Sequence, residues 1–180
     1  MERYNIENAK LIRGYTRVQG IITARNNPKK ITGIQDLIRK DIRFINRNKG
    51  SGTRVLTDHL IRRLATKIGK PIDHLISEIN GYNVEAKTHA SIGAAIKLGR
   101  ADMGIGVKTI ANIYGLNFIS LTEENFDFLI RENSIKREAV KNFIRTLKSK
   151  KFKEKLIEME MRAPKDIGEI IWPKEGGQEK

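Results

Sequence analysis

Two periods of apolar residues run through the chain. Over residues 52–68, Val55, Leu56, Leu60, Ile61, Leu64 and Ile68 fall on one face of a helix. Just upstream, Phe44 and Ile45 stand together between polar residues, which predicts a short buried strand. Gly50 and Gly52 lie between the two and can take φ > 0 or let another group approach the backbone. Residues 43–68 therefore read as strand, glycine-rich turn and helix. The alternation continues on both sides. Residues 15–24 read as a strand through Val18, Ile21 and Ile22, and residues 31–38 as a short helix with Thr32 as N-cap and Gln35 behind it. Ile72, Leu75, Ile76 and Ile79 make another short helix after the stop at Gly69-Lys70-Pro71. Residues 82–86 form a brief strand. Thr88 caps a helix that carries Ile92, Ala95, Ile96 and Leu98 and ends at Gly99. The apolar, glycine-rich residues 101–107 predict a strand buried on both faces. A short helical turn follows, then strands at 117–121 and 126–131 and a helix in two pieces over 136–159. Residues 1–14 carry no clear pattern, and 173–180 read as a frayed end. Strands alternating with helices predict an α/β fold with parallel pairing.

The turn at residues 48–54 has its own chemistry. It aims backbone N–H groups at one point, and a helix N-terminus adds partial positive charge there. Ser51, Thr53 and Arg54 bring further donors. That is an anion-binding arrangement, although a turn with an ordinary cap gives the same letters. It is not a phosphate loop of the Gly-Lys-Ser/Thr type, because Thr53 and Arg54 follow Gly52. Thr88-His89-Ala90-Ser91 repeats the device at a second helix start, and two such starts facing one cleft bind an anion better than one.

Composition narrows the class. At 180 residues, 39% hydrophobic and 31% charged, the chain is globular and long enough for one domain or two small lobes. No apolar run reaches the ~20 residues of a membrane helix, and the first residues lack the apolar core of a secretory signal. The chain has no cysteine, which excludes disulfides and thiolate metal sites and fits a cytoplasmic location. The formal charge of +14 favours anionic partners. Residues 136–155 hold nine basic side chains. Of these, Lys141, Arg145, Lys148 and Lys151 are candidates for contact with nucleic acid, and a solvated face of an amphipathic helix is the alternative.

Catalysis and metal binding find little support. His59, His74 and His89 make no metal-type pair, and His59 reads as structural, beside its helix's apolar face. Ser51 lacks the Gly-x-Ser-x-Gly frame of a nucleophile, and Glu123, Glu124 and Asp127 read as a solvated acidic turn. No catalytic residue, metal or cofactor is expected.

Four blocks, in order, carry a resemblance: residues 43–54, Gly81-Tyr82, Thr88-His89-Ala90, and residues 99–106. Together they resemble the periplasmic-binding-protein-like domain associated with molybdenum-cofactor biosynthesis and molybdate-responsive regulators, a relative of type II solute-binding proteins. The likeness runs from about residue 15 to about residue 152. It implies two α/β lobes with the ligand between them. Residues 1–33 and 116–180 would form the first lobe and 34–115 the second. The family's opening strand, helix and strand have no counterpart, so the first lobe would be incomplete, and a second chain could complete it. With the cytoplasmic location that the composition fits, the resemblance implies a non-catalytic, sensor-like module for a small oxyanion. Its ligand would be molybdate, tungstate or a molybdopterin-related phosphate, held by Ser51, Gly52, Thr53, Arg54, Thr88 and His89. The alternatives are an accessory protein in molybdenum-cofactor synthesis and a nucleic-acid-associated protein using the basic helix.

Overall fold

The computed structural model describes residues 7–172, so the expectation of a frayed end at 173–180 lies outside the described residues. In chain order the elements are β1 (Ala9–Thr23), β2 (Phe44–Arg47), α1 (Gly52–Ile68), α2 (Ile72–Glu78), β3 (Glu85–Ala86), α3 (His89–Lys97), β4 (Met103–Val107), α4 (Lys108–Tyr114), β5 (Asn117–Arg131), α5 (Glu138–Lys148), α6 (Lys150–Glu158) and β6 (Ile170–Trp172). They divide into two compact units. Residues 18–122 form one, and residues 7–17 with 123–172 form the other.

The unit of residues 18–122 is an open sheet in the order β3-β2-β4-β1-β5. β2 runs parallel to β3 and to β4, but β1 runs antiparallel to β4 with Ile21 opposite Ile105. The α/β expectation holds, and the expected parallel pairing is met by β2 with β3 and β4 while the antiparallel β1 makes the sheet mixed. Alternation of elements records their order but not the direction in which a distant strand returns.

Helices cover both faces. The β2-to-β3 connection is α1 and α2, and its cluster buries Leu37, Phe44, Ile61, Leu64, Leu75, Met103 and Ile105. The β3-to-β4 connection is α3, whose cluster with α4 buries Ile22, Ile45, Ile92, Ile96 and Ala111. All five residues of β4 are buried, as their composition predicts for a strand covered twice. Gly104 shows why glycine stands there: an added Cβ would lie 2.7 Å from the Ile92 side chain of α3.

The face of α1 differs from its apolar stripe. Val55 and Ile68 are exposed, while Thr53, Arg54, Thr57, Ile61, Leu64 and Ala65 are buried. Polar residues inside displace the buried face around the helix because hydrogen bonds satisfy them; Thr57, for example, donates to the Thr53 carbonyl. His59, read as structural, is exposed. The helix at 31–38 is a 3-10 segment of five residues (Ile34–Ile38). Its entry is fixed by the Asp36 carboxylate, which accepts from the Thr32 and Gly33 N–H groups. The strand read at 82–86 shrinks to Glu85–Ala86, since Tyr82 and Val84 donate to Ile79 and Gly81 in turns.

In the other unit, Ile12, Leu147, Leu156 and Ile167 form a small core against Tyr15, Phe128 and Phe143. β6 pairs with β1. The unassigned residues 1–14 include the start of β1, whose apolar Leu11 and Ile12 are separated from the rest by charged neighbours. The two predicted strands at 117–121 and 126–131 are one strand, β5. The predicted acidic turn is therefore strand, and its charges are paired: Glu123 with Arg162, Glu124 with Arg17 and Asp127 with Arg13. Ser149 separates α5 from α6 and caps the second by accepting from the Phe152 N–H.

Candidate functional site

Four residues separate the end of β2 from the start of α1, and this turn is held by its own polar groups. Gly50 takes φ +85°, and Ser51 stays extended as the N-cap. Ser51 Oγ accepts from the Arg54 N–H at 3.2 Å and donates to the Asn48 carbonyl at 3.0 Å. The N–H groups of Gly52 and Thr53 lie in the first turn, where no intrahelical acceptor reaches them. They form the positive end of a helix of 17 residues. α3 starts in the same way. Thr88 Oγ1 accepts from the Ser91 N–H at 3.0 Å and shares a hydrogen bond with Ser91 Oγ at 2.8 Å.

The two starts are neighbours because β2 and β3 are adjacent and parallel, with Arg47 opposite Ala86. Arg47 joins them. Its Nε donates to the Ala86 carbonyl at 3.1 Å and its Nη2 to the Lys87 carbonyl at 3.1 Å. The Asn48 N–H also donates to the Ala86 carbonyl. A buried guanidinium thus sits where both turns leave the sheet. Sequence reading missed Arg47. Its signal is a cation ending a short strand whose four residues are all buried, directly before the glycine turn.

The candidate residues separate into two groups. Gly52 and Thr88 are exposed, and Ser51 and His89 are half-buried. His89 lies beside β4, where a Cβ added at Gly106 would stand 3.6 Å from His89 Nδ1. Thr53 is only 2% exposed, which leaves its hydroxyl no open solvent face. Arg54 turns inward with its side chain 5% exposed. Its Nε bonds both Asp58 oxygens at 2.9 and 3.1 Å, and its Nη1 bonds Glu85 at 3.0 Å and the Arg47 carbonyl at 3.2 Å. Its guanidinium also lies 4.5 Å from the centre of the Tyr82 ring. Tyr82 in turn donates to Asp58 at 2.9 Å. Burial pushes the Tyr82 phenol up; Arg54 opposes this, and the Asp58 carboxylate reinforces it. The charge expected of Arg54 at the turn is therefore balanced by two carboxylates beneath it, and Arg54 fastens the start of α1 to the β3 edge.

Among the described residues, no group of three or more His, Asp or Glu side chains is placed to hold a metal ion. None of the described helices is long and apolar enough to cross a membrane. On the basic helices, Lys141 and Arg145 both pair with Glu138, and Lys148 pairs with Glu169. Lys151 is exposed.

An open mixed sheet, covered by helices on both faces and with two helix starts at neighbouring strand ends, is the architecture of binding-protein-like α/β domains. The chain belongs to the PBP superfamily, whose domain model matches residues 2–148. It is 34% identical over 162 residues to the uncharacterized protein YvgK of Bacillus subtilis; the match covers 89% of this chain. The chain spans about half the length of that relative, 49%. The fold is similar to that of PEB3 with bound L-phospholactate, at TM-score 0.63 and 24% identity over 85% of this chain and 68% of the other. It is also similar to a phosphate ABC transporter substrate-binding protein from Clostridium perfringens with bound phosphate. There the TM-score is 0.62 and the identity 16%, over 87% of this chain and 72% of the other. The sulfate-binding protein SubI of Mycobacterium tuberculosis gives a TM-score of 0.63 at 13% identity, over 85% of this chain and 58% of the other.

Proposed function

We propose that this chain is a non-catalytic, cytoplasmic ligand-binding module for a small oxyanion, received at the carboxyl ends of β2 and β3. The observation that carries the reading is the pair of helix starts joined by the Arg47 guanidinium. The N–H groups of Gly52 and Thr53 and the start of α3 at Thr88 and His89 supply short donors, and Arg47 supplies buried positive charge behind them. Oxyanions with several equivalent oxygens suit many short donors better than one strong partner. The phosphate and L-phospholactate bound in two neighbouring structures, and the name of a third as a sulfate-binding protein, support this class of ligand. Molybdate, tungstate and a molybdopterin-related phosphate fall within the same chemistry. Ser51 and Thr88 serve mainly to hold the donors in place, since both hydroxyls are spent on caps.

Gly52→Pro tests the site with little disturbance. Proline suits the first helical position, and Ser51, at φ −81° and ψ 144°, already has the backbone that a following proline demands. The substitution removes one N–H from the binding set. Melting in molybdate, tungstate, phosphate and sulfate should single out one anion that stabilises the protein by about 2.7 kcal/mol at ~100 times its dissociation constant. Gly52→Pro should keep the ligand-free melting temperature within about 2 °C and weaken that anion tenfold or more. Equal affinity in the variant, or indifference of the wild type to all four anions, would sink the reading.

A further inference from the structure

Residues 18–122 also form a concavity of about 650 Å³, to which Ser51, Gly52 and Thr53 do not contribute. Small-molecule sites occupy ~300–1,000 Å³. Its floor is apolar: Phe44 from β2, Ala86 from β3, Ala94 and Ala95 from α3, and Ala101 beyond it. Val84 and Leu98 also line it, and they are 56% and 64% exposed. Large apolar side chains left open to water in a concave surface mark a place for an apolar body.

The charge around this groove is one-sided once internal pairs are set apart. Glu85 already holds Arg54, and Arg43 is held by both oxygens of Asp102. Lys87 and Arg100 remain, exposed and without an ion pair among the described residues.

We propose that this groove binds a small amphipathic anion, an apolar ring or alkyl body carrying one carboxylate, sulfonate or phosphate. The body covers Val84 and Leu98, and the head meets Lys87 and Arg100. An added peptide strand fits poorly, because β3 offers only two residues of edge. The proposal is independent of the oxyanion reading, whose donors lie outside the groove.

The test is a fluorescence titration of the folded chain with 8-anilinonaphthalene-1-sulfonate, with octanoate and inorganic phosphate as competitors. The expected result is one saturable site, emptied by octanoate and untouched by phosphate. Leu98→Asp and the double variant Lys87→Glu/Arg100→Glu should each weaken the dye tenfold or more. All three positions are exposed, so unchanged urea midpoints will show that folding is intact. Gly52→Pro should leave dye affinity unchanged. Three results would each overturn the proposal: no saturable binding, equal affinity in both groove variants, or loss of the dye to phosphate and to Gly52→Pro.

Discussion

Arg54→Met is the perturbation with the most to say about how the start of α1 is held. Methionine keeps a long apolar stem and a good helix propensity, so the change removes the guanidinium and little else. The guanidinium makes four hydrogen bonds to Asp58, Glu85 and the Arg47 carbonyl and stacks on Tyr82. Hydrogen bonds to charged groups contribute ~1.5–3 kcal/mol each, but they share one donor group and do not add. Breaking a buried ion pair from one side costs ~3–5 kcal/mol when the remaining charge is stranded. Here the carboxylates are less isolated: the side chains of Asp58 and Glu85 are each 35% exposed, so water recovers part of the loss.

The expected cost is therefore about 2–3 kcal/mol, below the fully buried case and above that of a surface pair. Urea unfolding followed by far-ultraviolet circular dichroism reads it as a lower midpoint with an unchanged slope. The reasoning also orders the variants. Asp58→Asn and Glu85→Gln should each cost less than Arg54→Met, because each leaves the guanidinium another carboxylate. A loss below about 1 kcal/mol for Arg54→Met, or a larger loss for Glu85→Gln, would refute the assignment of Arg54 as the central clasp.

Two further outcomes follow from local geometry. Gly81 takes φ +97°, and a Cβ there would stand 2.0 Å from the Phe44 carbonyl oxygen, so Gly81→Ala should destabilise by more than about 2 kcal/mol in the same urea assay. Asp102 accepts from the Arg43 backbone N–H, Nε and Nη2, each at 2.9 Å, and the Arg43 guanidinium holds its carboxyl below the usual carboxylate range. A depressed folded pKa gives stability that is present above the unfolded value of ~3.9 and lost as pH falls through the folded value. Asp102→Asn should therefore lower the urea midpoint at pH 7, and the gap to wild type should close in acid; a gap constant with pH would contradict the ion-pair account.

How much of this was legible depends on how far apart the interacting residues lie in sequence. A cap in the glycine turn, which falls to Ser51, the stop at Gly69 and the cap at Thr88 were readable because donor and acceptor are within a few residues of each other. The buried strand at 103–107 was readable because its own composition excludes a wet face. Arg47 was invisible as a site residue because the carbonyls that orient it belong to Ala86 and Lys87, 39 and 40 positions away. The inward turn of Arg54 was hidden for the same reason, since Glu85 is 31 positions away. The acidic run in β5 was misread because a row of charges looks like a wet turn until Arg13, Arg17 and Arg162 arrive from other segments.

These misreadings share a direction. For Arg54 and for the acidic run of β5, a charge assigned to a ligand or to solvent was paired inside the protein by another segment. Pairing removes one charge of each sign, so the formal charge of +14 stands, and the fold decides only which cations a partner meets. At residues 48–54 the cation written beside the glycine turn is committed to holding the helix, whereas the cation at the end of the strand lies between the two turns. An anion received there would be held first by backbone N–H groups, whose directions the fold fixes, with charge only behind them. Such a site should choose its ligand by shape and number of oxygens more than by net charge. Affinity resting on aimed N–H groups should fall only modestly with added chloride, whereas affinity resting on exposed lysines and arginines falls steeply.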